Sequence, residues 1–366
     1  MVEYIADYAM KQNNVDFLHI WLADGTNNHC ECDNCRKKRV SDWYVILLNE
    51  IDEELTRRNL DTHLVFIQYV DTFWGPVEEK IRNTKRFTML YAPITRLYTE
   101  SYSMDADESQ VEPCVLNKHV FPKGMAACLG YLKKEWKPMW KGDCFCYEYH
   151  FWKKQWHDPT GIHIAKIIHE DIRGLRKHGL DGIVEDGSQR SFFPTGLAFY
   201  VYGETLFDSS VSFEALAEDY FRHAFGEKWQ EVWDYLESLS ACFDYDHMAG
   251  LKSLDPSINK VYNPEKAVKL AEVSKIVADF APVIAANKVQ RKRACTIAWR
   301  LLEHFGDFVN YTADVAAKSA LGDNEGAAAA QKKFKDDFSA REVYIQTYYD
   351  HFEAMYALFA GGVFQE

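Results

Sequence analysis

No apolar stretch in the 366-residue chain approaches the roughly 20 residues that a membrane-crossing helix needs. Positive charge is in deficit as well. Against 55 Asp and Glu stand 42 Lys and Arg, a formal net charge of −13. Phosphate binding needs clustered cations, so nucleic acid is not expected as the main partner. The single basic cluster, residues 36–39, is too short to alter that and reads as a solvated loop entering a helix. The nine cysteines are an odd count, irregularly spaced outside residues 30–35, which argues against a secreted disulfide framework. The first residues read as an amphipathic helix and not as a signal peptide, lacking a basic start and a continuous apolar centre. A reducing cytoplasm is therefore expected, with export open if the chain belongs to a longer protein. No Gly-rich turn follows the first strand-like segment, which disfavours a dinucleotide fold, and no internal repeat is evident.

What is present is a sizeable hydrophobic complement, 47% of residues, arranged in two patterns. Near-continuous apolar or aromatic runs at 15–24, 63–70, 86–94, 143–152 and 181–187 predict strands buried on both faces of a parallel sheet. Between them, 41–59 predicts a helix with Ser41 as its N-cap and Tyr44, Leu48, Ile51 and Leu55 on one face. A second helix is predicted over 162–178, striped by Ile164, Ile168, Ile172 and Leu175 and stopped by Gly179. Segments entering the strands are short, and those leaving them are long and rich in aromatic and polar residues. That asymmetry suits an α/β fold of the (β/α) TIM-like barrel kind, whose site is built from the loops after the strands. Eight strands close such a barrel and five are recognisable, so the barrel is expected to be incomplete at its N-terminal side. After Pro194 the strand signal ends. Helices are expected at 195–207 and 212–226, and then over 263–285, 288–320 and 326–359. The expected organisation is a barrel-like catalytic domain at 1–255 and an all-α domain at 256–366.

Side chains alternate along a strand, so Cys144, Cys146, Glu148 and His150 share one face and Phe145, Tyr147 and Tyr149 the other. The first set is expected to point into the barrel, carrying Glu148 and His150 to its mouth; the alternative for Glu148 is an ion pair with a nearby Lys or Arg. Glu185 ends the fifth strand, Asp186 follows it, and Asp24 closes the first. Paired carboxylates at a barrel mouth are what glycoside hydrolysis requires, one protonating the leaving oxygen while the other stabilises or attacks the oxocarbenium-like centre or activates water. Glu148 is the expected acid, Glu185 the base or nucleophile, and Asp24 the third member. Tyr69, Trp74, Tyr91 and Trp152 offer rings for stacking on sugars, with Tyr98 and Trp156 also near strand ends. Arg96, His150 and Asp186 offer hydrogen bonds to hydroxyls. No metal or other cofactor is expected for this chemistry.

The stretches ADGTNNHCECDNC (23–35), SDWYVILLNEI (41–51), IQYVDTFWGPVEE (67–79), MLYAPITRLY (89–98) and GLAFYVYGETLFD (196–208) together resemble an uncharacterised bacterial family. That family is a domain of unknown function within the glycoside-hydrolase TIM-barrel superfamily, with alpha-glucuronidases and beta-hexosaminidases as its nearest described relatives in fold. The resemblance covers residues 15–240. It implies a (β/α) barrel and carbohydrate processing, and it supplies no catalytic residues of its own. The expected function is thus a glycoside hydrolase acting on an oligosaccharide; the alternative is a non-catalytic sugar-binding protein that keeps the aromatic cleft. A metal-dependent hydrolase is a third possibility, weakened by the lack of a His-x-His ligand set on a strand.

The loop after Asp24 carries Cys30, Cys32 and Cys35, spaced so that three thiolates can converge on one ion, with His29 or a remote residue as a fourth ligand. A structural zinc, unligated thiols and a Cys30–Cys35 disulfide all remain open on spacing alone. A barrel with an open sheet edge also invites pairing between copies, so a homo-oligomer is a further expectation.

Overall fold

The apolar runs fold into neighbouring strands in a computed structural model that describes residues 1–12, 14–187 and 190–361. In chain order come α1 (Val2–Lys11), β1 (Phe17–Ile20), α2 (Val40–Arg57), β2 (His63–Gln68), β3 (Phe87–Tyr91), α3 (Met125–Tyr131), β4 (Cys144–Glu148), α4 (Ile162–Gly174) and β5 (Ile183–Glu185). Then follow α5 (Leu197–Phe207), α6 (Phe213–Phe225), α7 (Trp229–Ser240), α8 (Tyr245–Met248), α9 (Pro264–Leu270) and α10 (Val273–Asn287). The chain finishes with α11 (Arg293–Leu321), α12 (Asn324–Ser339), α13 (Glu342–Ile345) and α14 (His351–Gly361). Two compact units result. The first comprises Met1–Glu148 with Gly174–Glu185, and the second Tyr149–Arg173 with residues from Asp186 onward. The division expected after residue 255 falls inside the second unit.

The first unit is built on one parallel sheet with strands in sequential order β1 to β5. Its register aligns Ile20 with Phe66, Phe66 with Met89, and Met89 with Cys144; Cys146 then faces Ile183, and Glu148 faces Glu185. These side chains share one face. Ile20, Phe66, Met89, Cys144 and Cys146 are buried in a single core with Tyr44, Leu48, Ile51 and Leu55 of α2 and with Trp136 and Trp140. Phe66 meets the two tryptophan rings at 5.6 and 5.0 Å.

The opposite face is concave. Strands β1 and β4 lie three strand spacings apart, about 14 Å in a flat sheet. Yet His19 of β1 and Phe145 of β4 approach to 6.4 Å between ring centroids, and Trp21 meets Tyr147 at 5.6 Å. The sheet is therefore curled into a five-stranded half barrel, and the expected orientation of β4 is reversed. Phe145 and Tyr147 line the hollow, while the small Cys144 and Cys146 face the tryptophans of the outer core. A complete eight-stranded barrel is not seen among the described residues.

Helix α2 begins one residue earlier than expected, and Ser41 is not its cap. Arg39 takes the N-cap position, its backbone N–H donating to Asp42 Oδ2 at 3.1 Å, and the Ser41 hydroxyl instead donates to the Trp74 carbonyl. Asp42 Oδ1 also accepts the N–H groups of Val77, Glu78 and Glu79 at 2.8–2.9 Å, tying the helix start to the loop after β2. The expected helix over 162–178 is α4 closed by a tighter 3₁₀ turn, and Gly179 ends it in the left-handed region at φ 65°.

In the second unit the expected helical stretches appear with additional breaks. The 263–285 stretch divides into α9 and α10, and 326–359 into α12, α13 and α14. Ser212 caps α6 through its hydroxyl, which accepts the Ala215 N–H at 3.2 Å. The core gathers on Phe308 of α11, whose ring lies 5.4 Å from Phe193, Phe334 and Phe338 and 6.0 Å from Tyr349.

Two histidines of this unit, His157 and His247, are buried, and burial pushes their imidazoles down to about 3 and about 4. Both are neutral in the fold, whereas the unfolded chain takes up a proton at each as the pH passes 6.5. Their contribution is complete above pH 6.5 and is lost as the pH falls towards the folded values. The melting temperature is expected to drop between pH 7 and pH 5, above the range where carboxylates titrate, and to drop less in His157→Gln. An unchanged pH slope in that variant would remove the buried-histidine explanation.

Candidate functional site

The C-terminal ends of β3, β4 and β5 bring an acidic pair and its partners together in the first unit. Glu148 ends β4 with no exposed surface, and Arg96, from the turn after β3, is 1% exposed. Arg96 Nη1 donates to Glu148 Oε1 at 3.0 Å, Tyr102 donates to the same oxygen at 2.6 Å, and Tyr98 donates to Oε2 at 2.7 Å. The guanidinium also lies 4.3 Å from the centre of the Tyr98 ring and 5.2 Å from that of Tyr102. Burial, with the Glu148 charge adding to it, pushes both phenols well above their usual range, so they stay protonated as donors. This is the ion pair that stood as the alternative for Glu148. Glu185 is its in-register neighbour on β5 and is half-buried.

The other expected residues of this unit sit in different settings. Asp24 is exposed and accepts the Tyr69 hydroxyl at 3.0 Å. Tyr91 is fully buried. Trp74 is 1% exposed, its indole N–H donating to the Glu112 carbonyl at 2.8 Å and its ring stacked on His119 at 4.0 Å. Trp74 is thus packed, not displayed. On the concave face Trp21 is 47% exposed and Phe145 and Tyr147 are half-buried.

In the second unit His150 is buried against Asp171, Nε2 to Oδ2 2.8 Å, and Trp156 is buried against Tyr349 at 5.5 Å. Trp152 is half-buried, and the Lys153 ammonium sits between its ring and that of Tyr356, 4.2 and 4.1 Å from the two centroids. Burial raises the carboxyl of Asp186. It also raises that of Glu353, to which the Asp350 and Asp186 charges add. Glu353 and Tyr356 escape a reading of the sequence, because α14 comes more than 150 residues after Asp186 and carries no local signal of a site.

The cysteine loop is fastened by two asparagines. Asn27 Nδ2 donates to the His119 carbonyl at 3.2 Å while its Oδ1 accepts the His119 N–H at 2.9 Å. Asn117 does the same to His29, at 2.8 Å in both directions. Both asparagines have left-handed backbones, φ 50° and 59°, a conformation that Asn tolerates better than most residues. All three thiols are free, and their sulfurs lie within 4.8 Å of one another. A disulfide between Cys30 and Cys35 is therefore absent. Hydrogen bonding, chiefly from the Cys35 backbone, brings the Cys32 thiol down to about 7, whereas its bond with Cys30 takes Cys35 up to about 11. His29 does not join the three sulfurs at that mutual distance, and its Nε2 is bonded to the buried Asp71 at 2.8 Å. Next to Asp71, Val70 holds φ 36°, an uncommon and strained setting for a β-branched residue. The three sulfurs could hold a metal ion.

No family model, curated protein or solved structure matches the chain. Among the described residues no helix is long and apolar enough to cross a membrane.

Proposed function

We propose that the protein binds an oligosaccharide on the concave face of its parallel sheet. The observation that supports this most directly is the set of accessible rings, Trp21, Phe145 and Tyr147, gathered by the curl of the sheet. Flat rings pack on the apolar faces of sugars, and the Asp24–Tyr69 pair at the strand ends offers acceptor oxygens to hydroxyls. Calorimetry against a panel of oligosaccharides tests it. A binding sugar is expected to lose about tenfold or more in affinity with Trp21→Ala, the scale of one exposed ring removed from contact. Unchanged affinity in that variant would move the site elsewhere.

A second reading is glycoside hydrolysis by Glu148 and Glu185, favoured by their adjacent register at the ends of β4 and β5. It requires the Arg96–Tyr102 segment to open, because a carboxylate without accessible surface meets no substrate. Chromogenic glycosides separate the two. Hydrolysis predicts turnover that falls at least about a hundredfold in Glu185→Gln with sugar affinity retained; the binding reading predicts no turnover to lose. For the cysteine loop, we propose a zinc ion on Cys30, Cys32 and Cys35 that stiffens the rim beside Asp24. Their convergent sulfurs support it, and metal analysis of the reduced protein tests it.

A further inference from the structure

We infer that the ion held by Cys30, Cys32 and Cys35 keeps its fourth coordination position open and accepts there an external thiolate borne on an apolar body. The inference rests on the zinc reading of the loop and goes beyond it. Zinc takes four ligands. Sites that hold structure fill all four from the protein, whereas sites with three protein ligands take the fourth from outside. Among the described residues no fourth His, Cys, Asp or Glu side chain joins the three sulfurs at the same mutual distance. His29, Glu31 and Asp33 adjoin the cysteines in sequence and none joins the group; His29 Nε2 is bonded to Asp71, and Glu31 accepts from Arg36 at 2.7 Å and from Asn117 at 2.8 Å.

Two of the three cysteines border a built space. Cys30 and Cys35 form part of the wall of a cavity of about 430 Å³, and Leu22, Val40, Trp43 and Leu47 supply an apolar lining. That volume lies within the range of small-molecule sites. Apolar walls leave the hydration of a free carboxylate or hydroxide unreplaced, while a thiolate is soft, weakly hydrated and matched to zinc. Three thiolates on a divalent ion carry one negative charge, and a fourth makes it two. Lys37, on the same loop, bonds Asn34 Oδ1 at 2.9 Å and makes no ion pair among the described residues, whereas Arg36 is paired with Glu31 at 2.7 Å and Lys38, which lines the cavity, with Glu78 and Glu79 at 2.6 and 2.9 Å. On binding, the zinc–sulfur bond replaces a solvent ligand and the thiol proton leaves to solvent.

Cobalt(II) loaded into the reduced 366-residue chain gives the test. Addition of benzyl mercaptan is expected to shift the d–d bands and to raise the thiolate-to-cobalt charge-transfer absorption as a fourth sulfur binds. Benzyl mercaptan should bind about tenfold or more tightly than 2-mercaptoethanol, reflecting the apolar area it buries. In Trp43→Ala that preference should shrink while cobalt uptake persists. A spectrum unmoved by saturating thiol overturns the open position and leaves the zinc reading standing. No preference between the two thiols, or one undiminished in Trp43→Ala, overturns the role of the cavity. Failure of the wild-type protein to take up one equivalent of zinc or cobalt overturns the zinc reading and this inference together.

Discussion

Arg96→Met is expected to destabilise the first unit by about 3–5 kcal/mol, the cost of leaving a buried charge without its partner. Glu148 has no surface through which water could replace the guanidinium, and the two tyrosines that remain are neutral donors. Removing both charges should hurt less than removing one. In Arg96→Met/Glu148→Gln the amide still accepts from Tyr98 or Tyr102, and no ion is stranded. A double-mutant cycle by urea unfolding measures the coupling, and the double variant should recover a substantial part of the loss. A single-variant effect below about 1 kcal/mol, the range of exposed ion pairs, would mean that the pair is solvated.

The second large effect concerns the helical unit. Phe308→Ala is expected to cost about 3–5 kcal/mol, because the site cannot collapse around the space left by the ring. Its neighbours come from several places in the chain, Phe193 before α5, Phe334 and Phe338 on α12, and Tyr349 before α14. Rings held from so many directions leave little room to close a gap by moving one helix. Phe308→Leu retains most of the volume and should cost markedly less. Equal losses in the two variants by urea unfolding would indicate that the ring geometry, and not the filled volume, stabilises this core.

All five strands appear in sequence order, but the expected burial on both faces holds for β2 and β3 alone, while β1, β4 and β5 keep partly open positions. Their ends were not legible. The run from 143 to 152 stays aromatic past Glu148, but β4 has no paired residue beyond Glu148, where Glu185 closes β5. Alternation in β4 also told which side chains share a face without telling which face is hollow. Curl belongs to the whole sheet, and here it is revealed by His19 and Phe145, 126 positions apart. The acids at the strand ends could be named in advance; the partners that define their settings could not. Arg96 and Tyr102 reach Glu148 from 52 and 46 residues away, and His29 finds Asp71 across 42. Ser41 failed as a cap for a related reason. A tertiary acceptor, the Trp74 carbonyl, takes the hydroxyl that would otherwise serve the helix.

The paired asparagines also bear on how an ion would enter the cysteine loop. Small zinc modules remain unfolded until the metal organises them, so their affinity is diminished by the disorder it must remove. Here the asparagine bonds tie residues 27 and 29, just ahead of Cys30, to residues 119 and 117 of a distant loop, and the three sulfurs already lie within 4.8 Å of one another. The cage is preorganised. An ion arriving there would meet its geometry ready-made, and its departure would leave the backbone in place.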